Sequence, residues 1–541
     1  MTRMTGGQAL VRSLEAHGVD TVFGIPGVQM DHFFNALHDE RNRVRTIHTR
    51  HEQGAGYMAF GYAAATGRVG VCAVVPGPGL LNASAALATA YACNTPVLCI
   101  SGQIPSRFIG RGVGMLHEIP DQLAVLSGLT KWAARIDHPG QAPELVGEAF
   151  RQLATGRARP VALEMALDTM AQESEVALLD PATHRAAPDA DPERIDQAAR
   201  LLGAAERPLI FAGGGSADAG AEVQALAEML QAPIVLSRAS LGAVDDRHYL
   251  VQSPPGGHRL WADADVILGV GTRMNPQIPT WGVDDQLKFI RVDIDPVEIT
   301  RVHRPAVGIV GDAAPVLAAL ADRVGRYNRK RSSREVELSG LKSEFRAEFE
   351  RAVGPQVAYL DAIRAELPED GIFVEELTQV GYVARFAFPT YRPRAFITTG
   401  YQGTLGFGFA AALGVKVARP ETPVVAVAGD GGFMYNVQEL ATAVRHGIGV
   451  VTVVFSDNAY GNVRRMQVED HGGRVIATHL HNPDFVKLAE SFGAQGLRAT
   501  TPDELRGALK RGFDTPGPTL IEVPMGEMPS PWDYIFMRRA R

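Results

Sequence analysis

Short apolar runs of strand length alternate with longer helix-like segments along almost the whole of this 541-residue chain. The first repeat shows the pattern. Thr5 can cap a helix with an apolar face at Leu10, Val11 and Leu14, and a strand-like run follows Gly18. Strands that alternate with helices are typical of parallel sheets covered by helices. The alternation therefore predicts an α/β fold and excludes coiled coils, collagen and disulfide-rich miniproteins.

Two stretches have the composition of linkers and divide the chain. Residues 181–192 are rich in proline and alanine, and residues 326–334 carry five positive charges. Neither composition suits a packed strand or helix. We therefore predict three domains, at residues 1–180, 190–325 and 355–541, each a mainly parallel sheet flanked by helices.

Charge and cysteine content exclude several kinds of partner. The chain has 53 basic and 60 acidic residues, whereas proteins that bind nucleic acid are usually basic. No apolar run reaches the roughly 18 residues that a membrane span needs. The three cysteines all stand in apolar surroundings, which argues against a disulfide framework. We expect a cytoplasmic protein that binds neither nucleic acid nor membranes.

A buried strand in the last third of the chain ends in Gly-Asp-Gly. Residues 424–429 lead into Asp430, and a second strand at residues 450–455 leads into Asn458, 28 positions later. That spacing is one βαβ crossover, so both side chains should lie at carboxyl ends of strands in one sheet, where such folds bind ligands. Their oxygens suit Mg²⁺, which prefers sites completed by the phosphates of a ligand.

This motif resembles the signature of thiamine-diphosphate-dependent enzymes, in which an Asn-Asn-like pair follows Gly-Asp-Gly after about one crossover. Here the pair is Asp457-Asn458. The resemblance implies that Asp430, the Asn458 side chain and the Tyr460 carbonyl hold Mg²⁺ on the cofactor diphosphate. It further implies that four glycines contact the cofactor: Gly429, Gly431, Gly432 and Gly461.

A second match to the same family lies in the first domain. Glu52 stands in a His-Glu-Gln stretch after a predicted strand, the context of the family's essential glutamate. By itself, a glutamate at such a junction is usually a charge at a helix N-terminus. The resemblance implies instead that Glu52 hydrogen-bonds N1′ of the aminopyrimidine and assists removal of the C2 proton. Four more residues are implied to contact the cofactor: Pro26, Asn82, Gly403 and Leu405.

Within the family, the chain most resembles the acetolactate-synthase-like branch, which includes pyruvate oxidase, benzaldehyde lyase and 2-hydroxyacyl-CoA lyase. It departs from acetolactate synthases where second substrate and flavin are recognised. Leu116-His117-Glu118 replaces Phe-Gln-Glu, Met466 replaces the specificity tryptophan, and the flavin loop is unrecognisable in residues 240–257. These departures argue against acetolactate synthesis and against a bound FAD. FAD nevertheless stays open as a ligand of the middle domain.

Three residues are candidates for substrate chemistry: Gln29, His32 and His117. Benzaldehyde-lyase relatives place a histidine where Gln29 stands, and His117 belongs to the loop that faces the thiazolium in relatives. A neutral imidazole can relay a proton near neutral pH. The alternative for His117 is an ordinary surface histidine.

We therefore predict a thiamine-diphosphate-dependent lyase or transferase that breaks or forms a C–C bond next to a carbonyl of a small-molecule substrate. The reaction would be 2-oxo acid decarboxylation, carboligation or both. Two alternatives stay open: a benzaldehyde-lyase-like or 2-hydroxyacyl-CoA lyase, and a cofactor-binding or flavoprotein module without turnover. The resemblance also implies a homodimer or homotetramer, because the family builds each site from Glu52 of one chain and Asp430 of another.

Overall fold

The computed structural model describes residues 1–181 and 187–541, so part of the first predicted linker lies outside the described residues. Three six-stranded parallel sheets, each flanked by helices, confirm the predicted three-part α/β architecture. Among the described residues, no helix has both the length and the apolar character required to cross a membrane.

The N-terminal part holds the first six-stranded sheet and a separate two-stranded ribbon. Its strands are β1 (Thr2–Thr5), β2 (Thr21–Gly24), β3 (Arg45–His48), β4 (Gly70–Val74), β5 (Val97–Gln103), β6 (Trp132–Ile136), β7 (Val161–Ala166) and β8 (Glu173–Val176). Its α-helices are α1 (Gly6–Ala16), α2 (Asp31–Asp39), α3 (Glu52–Thr66), α4 (Pro78–Cys93), α5 (Gln122–Leu129), α6 (Ala142–Ala154) and α7 (Leu167–Ala171). The sheet order is β3-β2-β4-β5-β7-β6.

The predicted helix at the N-terminus is confirmed, but a strand precedes it. Thr5 caps α1, as the sequence indicated, and it does so through a capping box with Gln8. Strand β1 pairs antiparallel with β8, which lies about 170 residues later. A local pattern carries no information on such a distant partner.

The middle part holds the second sheet. Its strands are β9 (Pro208–Ala212), β10 (Ile234–Leu236), β11 (Val251–Gln252), β12 (Val266–Val270), β13 (Lys288–Asp293) and β14 (Val307–Val310). Its α-helices are α8 (Pro192–Ala204), α9 (Gly220–Leu230), α10 (Pro254–Trp261), α11 (Gln277–Trp281), α12 (Pro296–Thr300) and α13 (Ala313–Val324). The order β11-β10-β9-β12-β13-β14 is that of dinucleotide-binding folds.

The C-terminal part holds the third sheet. Its strands are β15 (Ile372–Glu375), β16 (Phe396–Thr398), β17 (Val424–Gly429), β18 (Val451–Ser456), β19 (Gln495–Arg498) and β20 (Thr519–Pro524). Its α-helices are α14 (Glu335–Ala352), α15 (Gly354–Glu366), α16 (Gln379–Ala387), α17 (Phe407–Ala418), α18 (Asp430–Phe433), α19 (Glu439–His446), α20 (Gly461–Asp470), α21 (Phe485–Phe492), α22 (Pro502–Asp514) and α23 (Trp532–Ile535). The order β16-β15-β17-β18-β20-β19 repeats the topology of the first sheet.

Helices α3 and α17 join the first and third sheets into one apolar core. Two glycines allow the helices to approach closely. A Cβ at Gly61 would lie 1.9 Å from the carbonyl oxygen of Ala411, and one at Gly414 would lie 1.9 Å from that of Met58. Both helices are buried along most of their length, as their apolar composition predicts.

A histidine pair at this domain boundary gives a testable pH dependence. Nε2 of His446 lies 3.1 Å from Nδ1 of His48. Burial, with the neighbouring charges of His48, Arg45 and Arg445, lowers the pKa of His446 from 6.5 to about 4. The unfolded chain therefore binds a proton at a higher pH than the folded chain, and the melting temperature should fall as pH decreases from about 6.5 to 4. The fall should be smaller in His446→Asn than in His471→Asn, a control variant at an exposed histidine. Equal pH profiles would contradict this.

Candidate active site

Asp430 lies where the order of the third sheet reverses. It follows β17 and begins α18, beside β15, at the crevice in which open parallel sheets bind ligands. Its side chain is only 1% exposed. The strand that precedes it is Val424–Gly429, so the buried strand predicted to lead into Gly-Asp-Gly is confirmed.

Hydrogen bonds orient both oxygens of the Asp430 carboxylate. Oδ1 accepts the N–H of Gly431 at 2.7 Å. Oδ2 accepts the N–H of Asn458 and Nδ2 of Asn482, both at 2.7 Å, and the Ser456 hydroxyl at 3.2 Å. Asn482 also donates to Oδ1 of Asn458 at 3.0 Å. The structure thus brings the predicted pair Asp430 and Asn458 together and adds Ser456 and Asn482, which the sequence analysis missed.

The chain around Asn458 turns sharply into α20. Asn458 has a φ of 55°, and Tyr460 is the residue before the first turn of α20, which begins at Gly461. The Tyr460 carbonyl accepts the N–H of Arg464 at 2.9 Å and keeps a second lone pair. The Tyr460 ring covers Gly431, where a Cβ would lie 2.7 Å from a ring carbon. A side chain at that glycine would push the ring away.

The metal ligands predicted around Asp430 are all oxygen atoms. Among the described residues, no group of three or more His, Cys, Asp and Glu side chains could hold a metal ion. The predicted ligands are one carboxylate, one amide oxygen and one backbone carbonyl. Such a partial set of hard oxygen donors suits Mg²⁺, which keeps positions for water and phosphate oxygens.

Glu52 lies at the corresponding edge of the first sheet, as the first residue of α3. Nδ2 of Asn82, on α4, donates to Oε2 of Glu52 at 3.0 Å. Oε1 lies over Gly79, where a Cβ would be 3.3 Å away. The structure therefore brings Glu52 and Asn82 together, and the Val75 side chain also lies beside Gly79.

The loop with Gly403 and Leu405 follows β16 and contacts α4 farther along. Gly403 has a φ of 58°, a conformation that favours glycine, and Leu405 is half-buried. The hydroxyls of Thr404 and Thr89 lie 2.9 Å apart. Thr89 is seven residues beyond Asn82, about 10 Å along the helix. Within one chain, this loop and Glu52 thus contact different turns of α4.

Two of the three substrate candidates lie together. Gln29 is 4% exposed, and its Nε2 donates to the Leu116 carbonyl at 3.0 Å. Among the described residues, its Oε1 and the Nδ1 of the next loop residue, His117, are buried without a hydrogen-bond partner. Buried polar atoms are normally paired, so these two could take a ligand. His32 lies half-buried on α2, and in the described part of the chain no hydrogen bond joins it to either residue.

Glu376 is a further buried carboxyl that the sequence analysis missed. Its Oε1 accepts the N–H of Gly406 at 2.7 Å, and its Oε2 accepts the N–H of Gly408 at 2.8 Å. A Cβ at Gly432 would lie 2.1 Å from Oε1. Burial raises the pKa of Glu376 to about 7, although the two N–H bonds oppose the shift. Glu376 thus lies between the loop after β16 and the Gly-Asp-Gly turn.

Sequence comparison places these residues in a known family. Models of the thiamine pyrophosphate (thiamine diphosphate) enzyme match the chain in three segments: the N-terminal TPP binding domain at residues 4–125, the central domain at residues 195–320, and the C-terminal TPP binding domain at residues 378–523. The chain belongs to the thiamine pyrophosphate enzyme family. The segment with Glu52 and Asn82 and the segment with Asp430 and Asn458 each lie in a TPP binding domain.

Three curated relatives cover nearly the whole chain. A probable 2-ketoarginine decarboxylase of Pseudomonas aeruginosa is 37% identical over 540 residues, with 96% of this chain and 94% of the relative covered. A probable acetolactate synthase large subunit of Methanocaldococcus jannaschii is 35% identical (96% and 92% covered). An acetolactate synthase large subunit of Corynebacterium glutamicum is 32% identical (98% and 88% covered). The predicted family, the thiamine diphosphate cofactor and the acetolactate-synthase-like type are confirmed. The protein is a thiamine-diphosphate-dependent enzyme that catalyses decarboxylation or carboligation.

Proposed function

We propose that the protein is a Mg²⁺- and thiamine-diphosphate-dependent decarboxylase of 2-oxo acids that works as at least a homodimer. The observation that carries the proposal is the hydrogen-bonded group of Asp430, Asn458 and Asn482 at the switch point of the third sheet. When bound, thiamine diphosphate supplies an electron sink for cleavage of the bond next to the carbonyl.

The chain's own residues then have separate tasks. Asp430, Asn458 and the Tyr460 carbonyl hold Mg²⁺ against the diphosphate, while the nearby glycines let the backbone approach it. Glu52, oriented by Asn82, holds a proton at N1′ of the aminopyrimidine. The remaining residues proposed to contact the cofactor are Pro26, Gly403, Leu405, Gly429, Gly431, Gly432 and Gly461. Gln29, His117 and His32 are proposed to contact the substrate.

Met466 supports decarboxylation over the joining of two substrates, because it is one of the departures from acetolactate synthases where the second substrate is recognised. It is 45% exposed on α20, at the position that resembles the specificity tryptophan of acetolactate synthases. The relative that is named as a decarboxylase is 37% identical to the chain. Acetolactate synthesis is the second candidate, because two of the relatives described above carry that name.

A substrate panel tests the proposal directly. The purified protein with Mg²⁺ and thiamine diphosphate would receive pyruvate, branched-chain 2-oxo acids and 2-ketoarginine. We expect cofactor-dependent release of CO₂ with an aldehyde product identified by mass spectrometry. Acetolactate from pyruvate would favour the second candidate, and cleavage of 2-hydroxy ketones without CO₂ would favour a lyase. Activity that does not require the cofactor would contradict the proposal.

Several observations support a site shared between two chains. Glu52 accepts a hydrogen bond from Asn82, which also belongs to the N-terminal part. Asp430 accepts hydrogen bonds from residues of the C-terminal part. Exposed apolar side chains follow the strand ends of both sheets, and such surface commonly marks an interface. They are Val28, Leu81, Val113 and Leu116 in the N-terminal part, and Tyr435, Val463 and Met466 in the C-terminal part.

A mixture of two inactive variants should therefore recover activity. Glu52→Gln and Asp430→Ala chains, unfolded and refolded together, should form mixed dimers in which one of the two sites is intact. Random pairing predicts about a quarter of wild-type turnover. Each variant refolded alone is the control. Light scattering would distinguish dimer from tetramer, and a fully active monomer would contradict the shared site.

The cavity of the middle sheet supports a dinucleotide ligand. A cavity of 1390 Å³ is lined there by Gly213–Gly215, Arg238 and Arg273, and it extends to the other two parts. Two guanidinium groups and a glycine-rich turn suit an anionic diphosphate. Visible flavin absorbance of the purified protein would identify FAD, which the sequence left open.

The cytoplasmic location stays a prediction.

A further inference from the structure

Glu439, the first residue of α19, reaches from the third sheet's domain to the junction where Glu52 begins α3. Both of its oxygens accept the N–H of Arg50, each at 3.1 Å, and Oε1 also accepts the N–H of His51 at 2.9 Å. The Thr442 hydroxyl donates to Oε2 at 2.6 Å. The Glu439 side chain is completely buried.

The junction is built to receive this carboxylate. A Cβ at Gly54 would lie 2.5 Å from Oε1 of Glu439, so only glycine leaves the space. The N–H groups at the beginning of a helix have no partner within the helix and attract negative charge. The side chain of His51 accepts one of them, the N–H of Gln53. Glu439 supplies the acceptor for the two N–H groups that precede Glu52.

We propose that Glu439 is a positioning residue that fixes Glu52 for its work on the cofactor. In the described part of the chain, Glu439 is the acceptor for the N–H groups of both Arg50 and His51. If they lost it, these partly buried donors would have to move to find another partner. Such a movement would turn Glu52 away from Asn82. The proposal rests on the function proposed for Glu52.

Four variants separate positioning from general stability. Glu439→Ala removes every bond to the junction. Glu439→Gln keeps one oxygen acceptor in the same shape and should rescue part of the effect. Thr442→Val removes only the hydroxyl bond to the carboxylate. Glu490→Ala, an exposed glutamate on α21, is the matched control.

The first measurement needs no cofactor. Amide hydrogen exchange, followed by mass spectrometry on peptides that cover residues 45–57, should be fastest in Glu439→Ala and intermediate in Glu439→Gln. Thr442→Val should change it little, and Glu490→Ala should match the wild type. Peptides from the middle sheet should exchange alike in all variants, because the change is local.

The second measurement follows exchange of the C2 proton of bound thiamine diphosphate for deuterium. It should be about tenfold slower in Glu439→Ala, a part of the 10²–10⁴ that a lost proton-transfer group costs. The melting-temperature rise given by Mg²⁺ and the cofactor should stay, because the Asp430 group is untouched. Partial recovery in Glu439→Gln would separate positioning from a merely structural role.

Several results would overturn the inference. Wild-type amide exchange at residues 45–57 in Glu439→Ala would mean that the carboxylate does not hold the junction. Faster amide exchange with a wild-type C2 rate would mean that it does not position Glu52. If the alanine variant fails to fold, Glu439→Gln with unchanged amide and C2 exchange overturns it as well. A wild-type protein that does not accelerate C2 exchange contradicts the proposed function instead, and the amide data still report on Glu439.

Discussion

Replacing Asp430 by alanine should abolish the rise in melting temperature that Mg²⁺ and thiamine diphosphate together give the wild-type protein. A ligand that binds only the folded state stabilises it by about 2.7 kcal/mol when present at 100 times its dissociation constant. Asp430 provides the carboxylate of the proposed metal site, and its Oδ2 also fixes Asn458 and Asn482. Without it, the cofactor would lose its metal bridge and the two amides their orientation. Thermal unfolding with and without both ligands measures the effect.

Ser456→Ala is a matched control for this experiment. It removes the longest of the four hydrogen bonds to Asp430, at 3.2 Å, and leaves the carboxylate in place. Its cofactor-induced rise should remain close to that of the wild type. Each variant is compared with its own ligand-free melting temperature, since the loss of a buried carboxylate also changes the stability of the apoprotein. A full rise in Asp430→Ala would contradict the metal assignment.

The sheets were predictable because their strands are apolar runs that end at glycine or at polar residues. The strand predicted from Val424 into Gly-Asp-Gly is Val424–Gly429, and the strand predicted at residues 450–455 is Val451–Ser456. Helix α14 was not predicted, although Leu338, Leu341, Phe345 and Phe349 have the spacing of one helix face. The high charge of the segment and the basic run before it made the region resemble a linker.

The polar groups of the site were predictable only where a strand end placed them. Asp430 and Asn458 are one crossover apart, so topology alone puts them together. Asn482 comes from a segment without periodicity. It reaches Asp430 because the stretch before it bridges back onto the turn, where the N–H of Leu480 donates to the Asn458 carbonyl at 2.8 Å. No sequence pattern signals that return.

The roles of the buried residues Glu439 and Glu376 could not be predicted for another reason. Glu439 lies in the first turn of a helix, where an acidic residue is ordinarily a surface charge that favours the helix dipole. Glu376 simply follows an apolar strand. Their roles appear only when the third sheet's domain is seen against α3 and against the glycines of its own loops. A sequence gives the elements of each domain more readily than the contacts between them.

Glu52→Gln should lose most turnover while keeping cofactor affinity within about tenfold of the wild type. The glutamine amide has the same shape and can still hydrogen-bond to N1′ of the aminopyrimidine, but it cannot carry the proton that must be held there. Loss of such proton-transfer help typically reduces the rate by about 10²–10⁴. The Asn82 side chain, which donates to Oε2 at 3.0 Å, can still donate to the amide oxygen. The fold around the junction should therefore be unchanged.

The decisive measurement is exchange of the C2 proton of bound thiamine diphosphate for deuterium, followed by quenched-flow NMR. Slow exchange in Glu52→Gln, with a normal melting-temperature rise on adding Mg²⁺ and cofactor, would assign the proton step to Glu52. The exchange rate of Asn82→Ala should lie between those of Glu52→Gln and the wild type, because the Glu52 carboxylate stays but loses the donor that orients it. Wild-type exchange with intact turnover would instead make Glu52 a structural carboxylate at the beginning of α3. The proton step would then have to come from another group. His117, whose buried Nδ1 has no hydrogen-bond partner in the described part of the chain, is the first to test.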